Sequence, residues 1–184
     1  QMWRNGCIND TYEPGSTFKT VVAAAALEEG VATPSDVFVC TGVRQVANRS
    51  IHCWHLPGHG EETFGQGLMN SCNPFFITVG QDLGTDKFYK YFEAFGFTET
   101  TGVDLPAEAS PAADITYHSK ENMGIAQLSS SAFGQTFQVS AIQMITAVSA
   151  VANGGKLMEP YVVAKKLDSD GNAVYEKTPT VRRQ

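Results

Sequence analysis

No stretch of this 184-residue sequence approaches the roughly 20 consecutive apolar residues that a membrane-spanning helix needs. The longest such run is Val21 to Leu27. A basic stripe is missing as well: 13 Lys and Arg stand against 19 Asp and Glu, for a net charge of −6. The densest basic run is the pair Arg182-Arg183. With a pI near 5.1, nothing is present to meet a row of phosphates, which excludes a nucleic-acid partner. There is no CxxC pair among the four cysteines, Cys7, Cys40, Cys53 and Cys72. "QMWRNGCIND" has no leader features and begins with Gln, and "TPTVRRQ" ends as abruptly. The expectation is an internal piece of a longer protein. Internal repeats and low-complexity segments are also lacking. What remains, 42% hydrophobic and 17% charged, is the composition of a globular domain.

Helical signals dominate. Thr17 to Glu29 carries "TVVAAAALEE" and stops at Gly30, with nearly every face apolar, so it reads as a buried helix. Thr63 caps a short helix to Met69. "NPFFITVGQDLG" opens with Asn73 as cap and Pro74 at the first helical position, and closes at Gly84. "TDKFYKYFEAFG" follows, capped by Thr85 and ended by Gly96, with Phe88, Tyr91, Phe92 and Phe95 at helical spacing for core packing. Residues 98–122 read as loop. The last helix opens with Ser140 and Gln143 at capping-box spacing and ends at Asn153-Gly154-Gly155. Strand signals are few: "VFVC" and "RSIHCW" form a small hairpin or irregular loop, and "YVVAKKLDSDGNAVYEK" is a hairpin around Asp-Gly-Asn. The fold class predicted is mainly α with small β-hairpins.

The chemistry begins at "YEPGSTFK". On a helix, residues three apart share a face, with Cβ atoms roughly 5–6 Å apart, so Lys19 can reach the Ser16 hydroxyl. Burial against the apolar run disfavours the charged amine and lowers its pKa from about 10.4. A neutral Lys19 could then take the Ser16 proton, and the helix N-terminus would favour the charge that develops there. A lone S-x-x-K arises often by chance, and ordinary capping with a lysine reaching to water is then the plainer explanation. A second element, "NSCNPFF", places Ser71 and Asn73 on one loop: a hydroxyl that can relay a proton and an amide that can grip a peptide group.

Taken together, "YEPGSTFK", "NSCNP", "FGFTETTGVDLP" and "GQTFQVSAIQMITAVSAVANGG" resemble the transpeptidase domain of class B penicillin-binding proteins, over nearly the whole chain. The resemblance implies the helical part of the α/β penicillin-binding-protein fold. It implies a D,D-transpeptidase that acylates a serine with D-Ala-D-Ala stem peptides, crosslinks peptidoglycan and is trapped by β-lactams. The alternatives it leaves are a D,D-carboxypeptidase and a non-catalytic β-lactam-binding or scaffold domain. By motif position Ser16 would be the nucleophile, Lys19 its base, Ser71 a proton shuttle and Asn73 the substrate-amide holder that orients Lys19. Gly134, Gln135 and Thr136 resemble a family segment near the active cleft. No cofactor is implied. The partners implied are stem peptides, β-lactams and cell-wall synthesis proteins, at the extracytoplasmic face of a bacterial membrane.

Two departures matter. A Lys-Thr/Ser-Gly motif does not occur: Lys19-Thr20 runs into Val21, and Lys177-Thr178 into Pro179. In the family that motif holds the substrate carboxylate on a strand that also completes the oxyanion hole. The expectation is therefore a partial domain, residues 1–184, without the anchor and the C-terminal sheet strands, and strongly impaired alone. Its apolar helix, Val21 to Leu27, would be short of cover and would drive self-association. Second, Glu108 is the only carboxylate of its loop suited to activate a deacylating water, and Ala112 stands where a companion Asn is needed, so β-lactam hydrolysis is not expected.

Cysteines and histidines crowd one region: Cys40, His52, Cys53, His55 and His59. Their spacing fits no standard zinc pattern, so no metal is expected there. A disulfide could join Cys40 to Cys53, or Cys53 to Cys72. Because Cys72 lies inside Ser-Cys-Asn, the latter could gate the site; buried free thiols are the plainer alternative.

Overall fold

A computed structural model describes residues 4–184. In chain order the elements are helix α1 (Gly6–Asn9), strand β1 (Thr11–Tyr12), a 3-10 turn (Gly15–Phe18) that runs directly into helix α2 (Lys19–Glu28), strands β2 (Val37–Cys40), β3 (Val43–Val46), β4 (Arg49–His52) and β5 (Gly60–Thr63), helices α3 (Phe64–Met69) and α4 (Asn73–Ala94), a 3-10 turn (Lys120–Asn122), helix α5 (Ile125–Ser131), strand β6 (Val139–Ser140), helix α6 (Ala141–Ala152), and strands β7 (Leu157–Met158), β8 (Lys165–Leu167), β9 (Ala173–Glu176) and β10 (Val181–Arg183). Among the described residues every sheet is a two-stranded antiparallel pair. The predicted class, helices with small hairpins, is what forms.

Local chemistry sets the helix ends. Thr63 and Ser140 each accept from the backbone N–H three residues on, and Gln66 and Gln143 answer with their side chains, so both helices open on a full capping box. Helix α4 turns sharply at Gly84, whose φ of 71° suits glycine, so the predicted break into two helices is real. Asn73 does not cap that helix. Cys72 occupies the cap position with no side-chain bond, and the Asn73 amide is engaged elsewhere. Helix α5 escaped the sequence reading because its serine-rich "IAQLSSS" resembles a loop.

The four strands between α2 and α3 nest rather than follow in sequence. Strands β3 and β4 form the inner hairpin, Val43 opposite His52, and β2 pairs with β5 around them, Val37 opposite Thr63. The predicted C-terminal hairpin is present as β8–β9, with Lys165 opposite Glu176. Its two strands are exposed throughout. Strand β10 returns to pair with β7.

The core lies where α2 packs on α4 and α6, and α4 on α5. Val21, Val22, Ala23, Ala25 and Ala26 of α2 are all buried. This corrects the premise that the helix is short of cover: α4 and α6 cover it, leaving mainly Ala24 and Leu27 towards the surface. Phe18 sits at the middle of an aromatic cluster, its ring 4.7 Å from Phe137, 5.3 Å from Phe97 and 6.1 Å from both Phe88 and Phe92. Burying such a ring contributes about 1.5–3 kcal/mol, enough to fix the turn that carries Ser16 two residues earlier. The loop at 98–122 is held by carboxylates. Glu108 accepts from the Thr101 N–H, the Thr101 hydroxyl and the Gly102 N–H, and Asp104 accepts from the N–H groups of Val162 and Val163. Among the described residues no helix is long and apolar enough to cross a membrane.

Candidate active site

The 3-10 turn at Gly15–Phe18 presents Ser16 and Thr17 at the surface, while Phe18 and Lys19 point inward. Phe18 enters the aromatic cluster, and Lys19 is almost wholly buried, 1% exposed. The Lys19 amine is 3.2 Å from Ser16 Oγ, 3.0 Å from Ser71 Oγ, and 2.7 Å from both the Ser71 carbonyl and Asn73 Oδ1. Two of these neighbours can only accept; the other two are hydroxyls that can also donate. A neutral amine has two N–H donors and one lone pair. The two acceptor-only oxygens match the N–H groups, and the lone pair is left facing the hydroxyls. Burial lowers the Lys19 pKa to about 8, although the Cys72 and Cys53 thiols nearby act in the opposite sense.

Ser71 contributes both oxygens because its backbone is left-handed, with φ 52°. A serine held there is strained by roughly 1–2 kcal/mol, and such strain concentrates at working sites. The turn carrying Ser16 is braced from behind. The Gly15 N–H donates to the Gly134 carbonyl at 2.8 Å, and a side chain at Gly134 would stand 2.0 Å from Gly15 O. The Thr136 N–H donates to Glu13 Oε1 at 2.9 Å, and Gln135 between them is exposed. The structure thus brings Ser16, Lys19, Ser71 and Asn73 around one amine, and places Gly134 and Thr136 against the turn as its support.

Directly behind this site is a second cluster. Cys72, flanked by Ser71 and Asn73, is fully buried, and it lies with Cys40 and Cys53, each 1% exposed, and His59. All four cysteines are free, so neither the Cys40–Cys53 nor the Cys53–Cys72 disulfide is formed. The sequence reading had also dismissed a metal site from spacing. The gathered set omits the exposed His52 and His55 and includes Cys72, which the sequence connects only to Cys53, as a possible disulfide partner. Burial pushes the Cys72 thiol pKa up, with Cys40 and Glu62 adding to the effect and the Phe75 N–H opposing it.

Fold and site together define a class. Residues 1–184 match the penicillin binding protein transpeptidase domain, and the chain belongs to that family. It is 39% identical over 183 residues to stage V sporulation protein D of Bacillus subtilis, covering 98% of this chain and 28% of that protein. It superposes on the crystal structure of penicillin binding protein 3 from Mycobacterium tuberculosis, solved with aztreonam, with a TM-score of 0.85 and 25% identity, over 97% of this chain and 39% of that one. The D,D-transpeptidase domain of a peptidoglycan glycosyltransferase from Eggerthella lenta gives a TM-score of 0.84 at 26% identity, over 98% of this chain and 46% of that one. The chain spans about a quarter of the length of the curated relatives it matches.

Proposed function

We propose that this chain carries the acylating half of a peptidoglycan D,D-transpeptidase. Ser16 Oγ attacks the carbonyl carbon of the penultimate D-alanine of a stem peptide and gives its proton to the neutral Lys19 amine. The carbon–nitrogen bond then breaks. The proton passes by way of the Ser71 hydroxyl to the departing D-alanine, leaving an ester on Ser16. An amine of a neighbouring stem attacks that ester, restoring the Ser16 hydroxyl and forming the crosslink. Asn73 keeps Lys19 aimed and offers its amide N–H to the substrate peptide group, and the Ser16 N–H contributes to the oxyanion hole. A β-lactam enters by the same attack, with ring opening in place of amine departure. The protein acts at the outer face of the membrane, where its substrate lies.

The observation carrying this reading is the Lys19 amine, sealed from solvent and within hydrogen-bonding reach of both hydroxyls. The test is labelling with a fluorescent penicillin followed by peptide mass spectrometry. A single adduct on the Ser16 peptide, absent in Ser16→Ala, is expected. With no Lys-Thr/Ser-Gly segment in these 184 residues, labelling should run roughly 10²–10³ slower than in a domain that has one, the cost of a lost oxyanion donor. An adduct at another residue, or labelling unaffected by Ser16→Ala, overturns the assignment.

A further inference from the structure

A pocket of about 250 Å³ opens beside the segment that braces the Ser16 turn. Four parts of the chain wall it: the tip of the β3–β4 hairpin, one face of α5, His118 of the 98–122 loop, and Thr136. Its polar lining is Asn48, Arg49, His118, Gln127, Ser130 and Thr136, and no carboxylate lines it. In a chain of net charge −6, this is a local excess of positive and donor groups.

Exposed polar side chains ordinarily end in water, and one of these alone would carry nothing. Two features set the group apart. The first is Arg49. The other four arginines are engaged: Arg4 with Asp10, Arg44 with Gln81, Arg182 with Glu99 and the Thr100 carbonyl, and Arg183 with Glu99 and the Glu93 carbonyl. The Arg49 guanidinium has no hydrogen-bond partner among the described residues, and neither have the side chains of Asn48, His118, Gln127 and Ser130. The Asp114 carboxylate feels the His118 charge, but it accepts from Ser119 and Asn122 and stands outside the lining. The second feature is the backbone of Thr136, with φ 67°. A β-branched residue in the left-handed region is an outlier, and such strain gathers at ligand clamps and active sites. It turns the Thr136 N–H to Glu13 Oε1 at 2.9 Å while the residue stays on the pocket wall. Gly134, two residues before, holds Gly15 beside the nucleophile, so the pocket and Ser16 are fixed to one frame.

We propose that this pocket binds a carboxylate of the peptide substrate, carried upstream of the D-Ala-D-Ala end that Ser16 attacks. The inference rests on the transpeptidase reading and names the part of the substrate held away from the reacting bond. A guanidinium presents a planar fork of N–H donors that matches the two oxygens of a carboxylate, and the amides and hydroxyls add neutral donors around it. The volume of about 250 Å³ admits one acidic side chain rather than a folded partner. The net negative charge of the chain repels an acidic peptide, and Arg49 offsets that repulsion locally. An anchor this far from the reacting bond holds substrate and transition state alike, so it acts on binding.

The test is an NMR titration of the full chain carrying Ser16→Ala, which reads binding without turnover. Two peptides are compared, both ending in D-Ala-D-Ala: one with a free carboxylate on an upstream residue, one with that carboxylate amidated. The acidic peptide should move the Arg49 Nε–Hε and His118 ring resonances. It should bind about tenfold tighter than its amide, the usual weight of one charge-assisted hydrogen bond. Arg49→Ala should remove that preference, and Lys166→Ala, at an exposed cation on β8, should keep it. The shifts are read with Arg49 in place, so if a variant does not fold they decide alone. Equal binding of the two peptides, or shifts that bypass Arg49 and His118, overturns the proposal, as does an undiminished preference in folded Arg49→Ala. Penicillin labelling of Ser16 in the unaltered chain tests the transpeptidase reading separately. Labelling without the preference fails only the pocket, and the preference without labelling fails only the chemistry.

Discussion

Two clusters sit on opposite sides of the tripeptide Ser71-Cys72-Asn73, and they differ in how their polar atoms are answered. Towards α2, Ser71 and Asn73 surround the Lys19 amine with four oxygens at 2.7–3.2 Å. Towards β2 and β5, Cys72 meets two more thiols, an imidazole and a carboxylate, with one nitrogen and one oxygen unpaired. The first is complete with protein atoms alone and opens to solvent at Ser16. The second is closed to solvent and keeps two polar atoms, His59 Nε2 and Glu62 Oε2, without a partner among the described residues. One short loop therefore contributes its outer residues to the proposed reactive centre and its middle residue to the buried sulfur cluster.

The largest effect separates the two outright. Ser16→Ala should abolish covalent penicillin labelling while leaving the protection of the buried Cys40, Cys53 and Cys72 thiols from thiol reagents unchanged. Faster thiol labelling of that folded variant would show that the two clusters are not independent. Lys19→Ala should slow acylation by about 10²–10⁴, the usual contribution of a positioned general base. A change smaller than tenfold in rate of labelling would remove Lys19 from that role. Phe18→Ala should destabilise the fold by about 3–5 kcal/mol in denaturant unfolding, because the Ser16 turn is held by that ring against Phe97 and Phe137. The smallest expected effect isolates the left-handed backbone of the shared loop. Ser71→Ala and Ser71→Gly both delete the hydroxyl, but only glycine relieves φ 52°, so the glycine variant should be about 1 kcal/mol the more stable. Equal unfolding midpoints would mean that the loop is not strained.

What could be read in the sequence follows the range of the interactions involved. Caps, glycine stops and the Asp-Gly-Asn hairpin are set by residues within a few positions of one another, and Thr63, Ser140, Gly84 and the β8–β9 turn form as expected. Ser16 and Lys19 share one turn, so their meeting followed from helix spacing; that Ser71 and Asn73 join them came from the family resemblance. Asn73 was also read as a cap, a role its engagement with Lys19 displaces. The sulfur cluster was invisible as a unit. Its members are at positions 40, 53, 59 and 72, and they meet only because β2 pairs with β5 around an inner hairpin. The signals that could have found it were the glycines at 42 and 58 and the cysteine inside the Ser-Cys-Asn motif.

Only the neutral form of Lys19 can receive the Ser16 proton, because the transfer needs a free lone pair. Burial lowers its pKa from 10.5 to about 8, so the neutral form grows as pH rises through that value. Acylation should rise with it and level off above. The direct measurement is an NMR titration of the Lys19 side chain in protein labelled at lysine Cε, assigned by comparison with Lys19→Arg. A midpoint near 8 is predicted. A midpoint at or above the ordinary 10.5 would contradict the account.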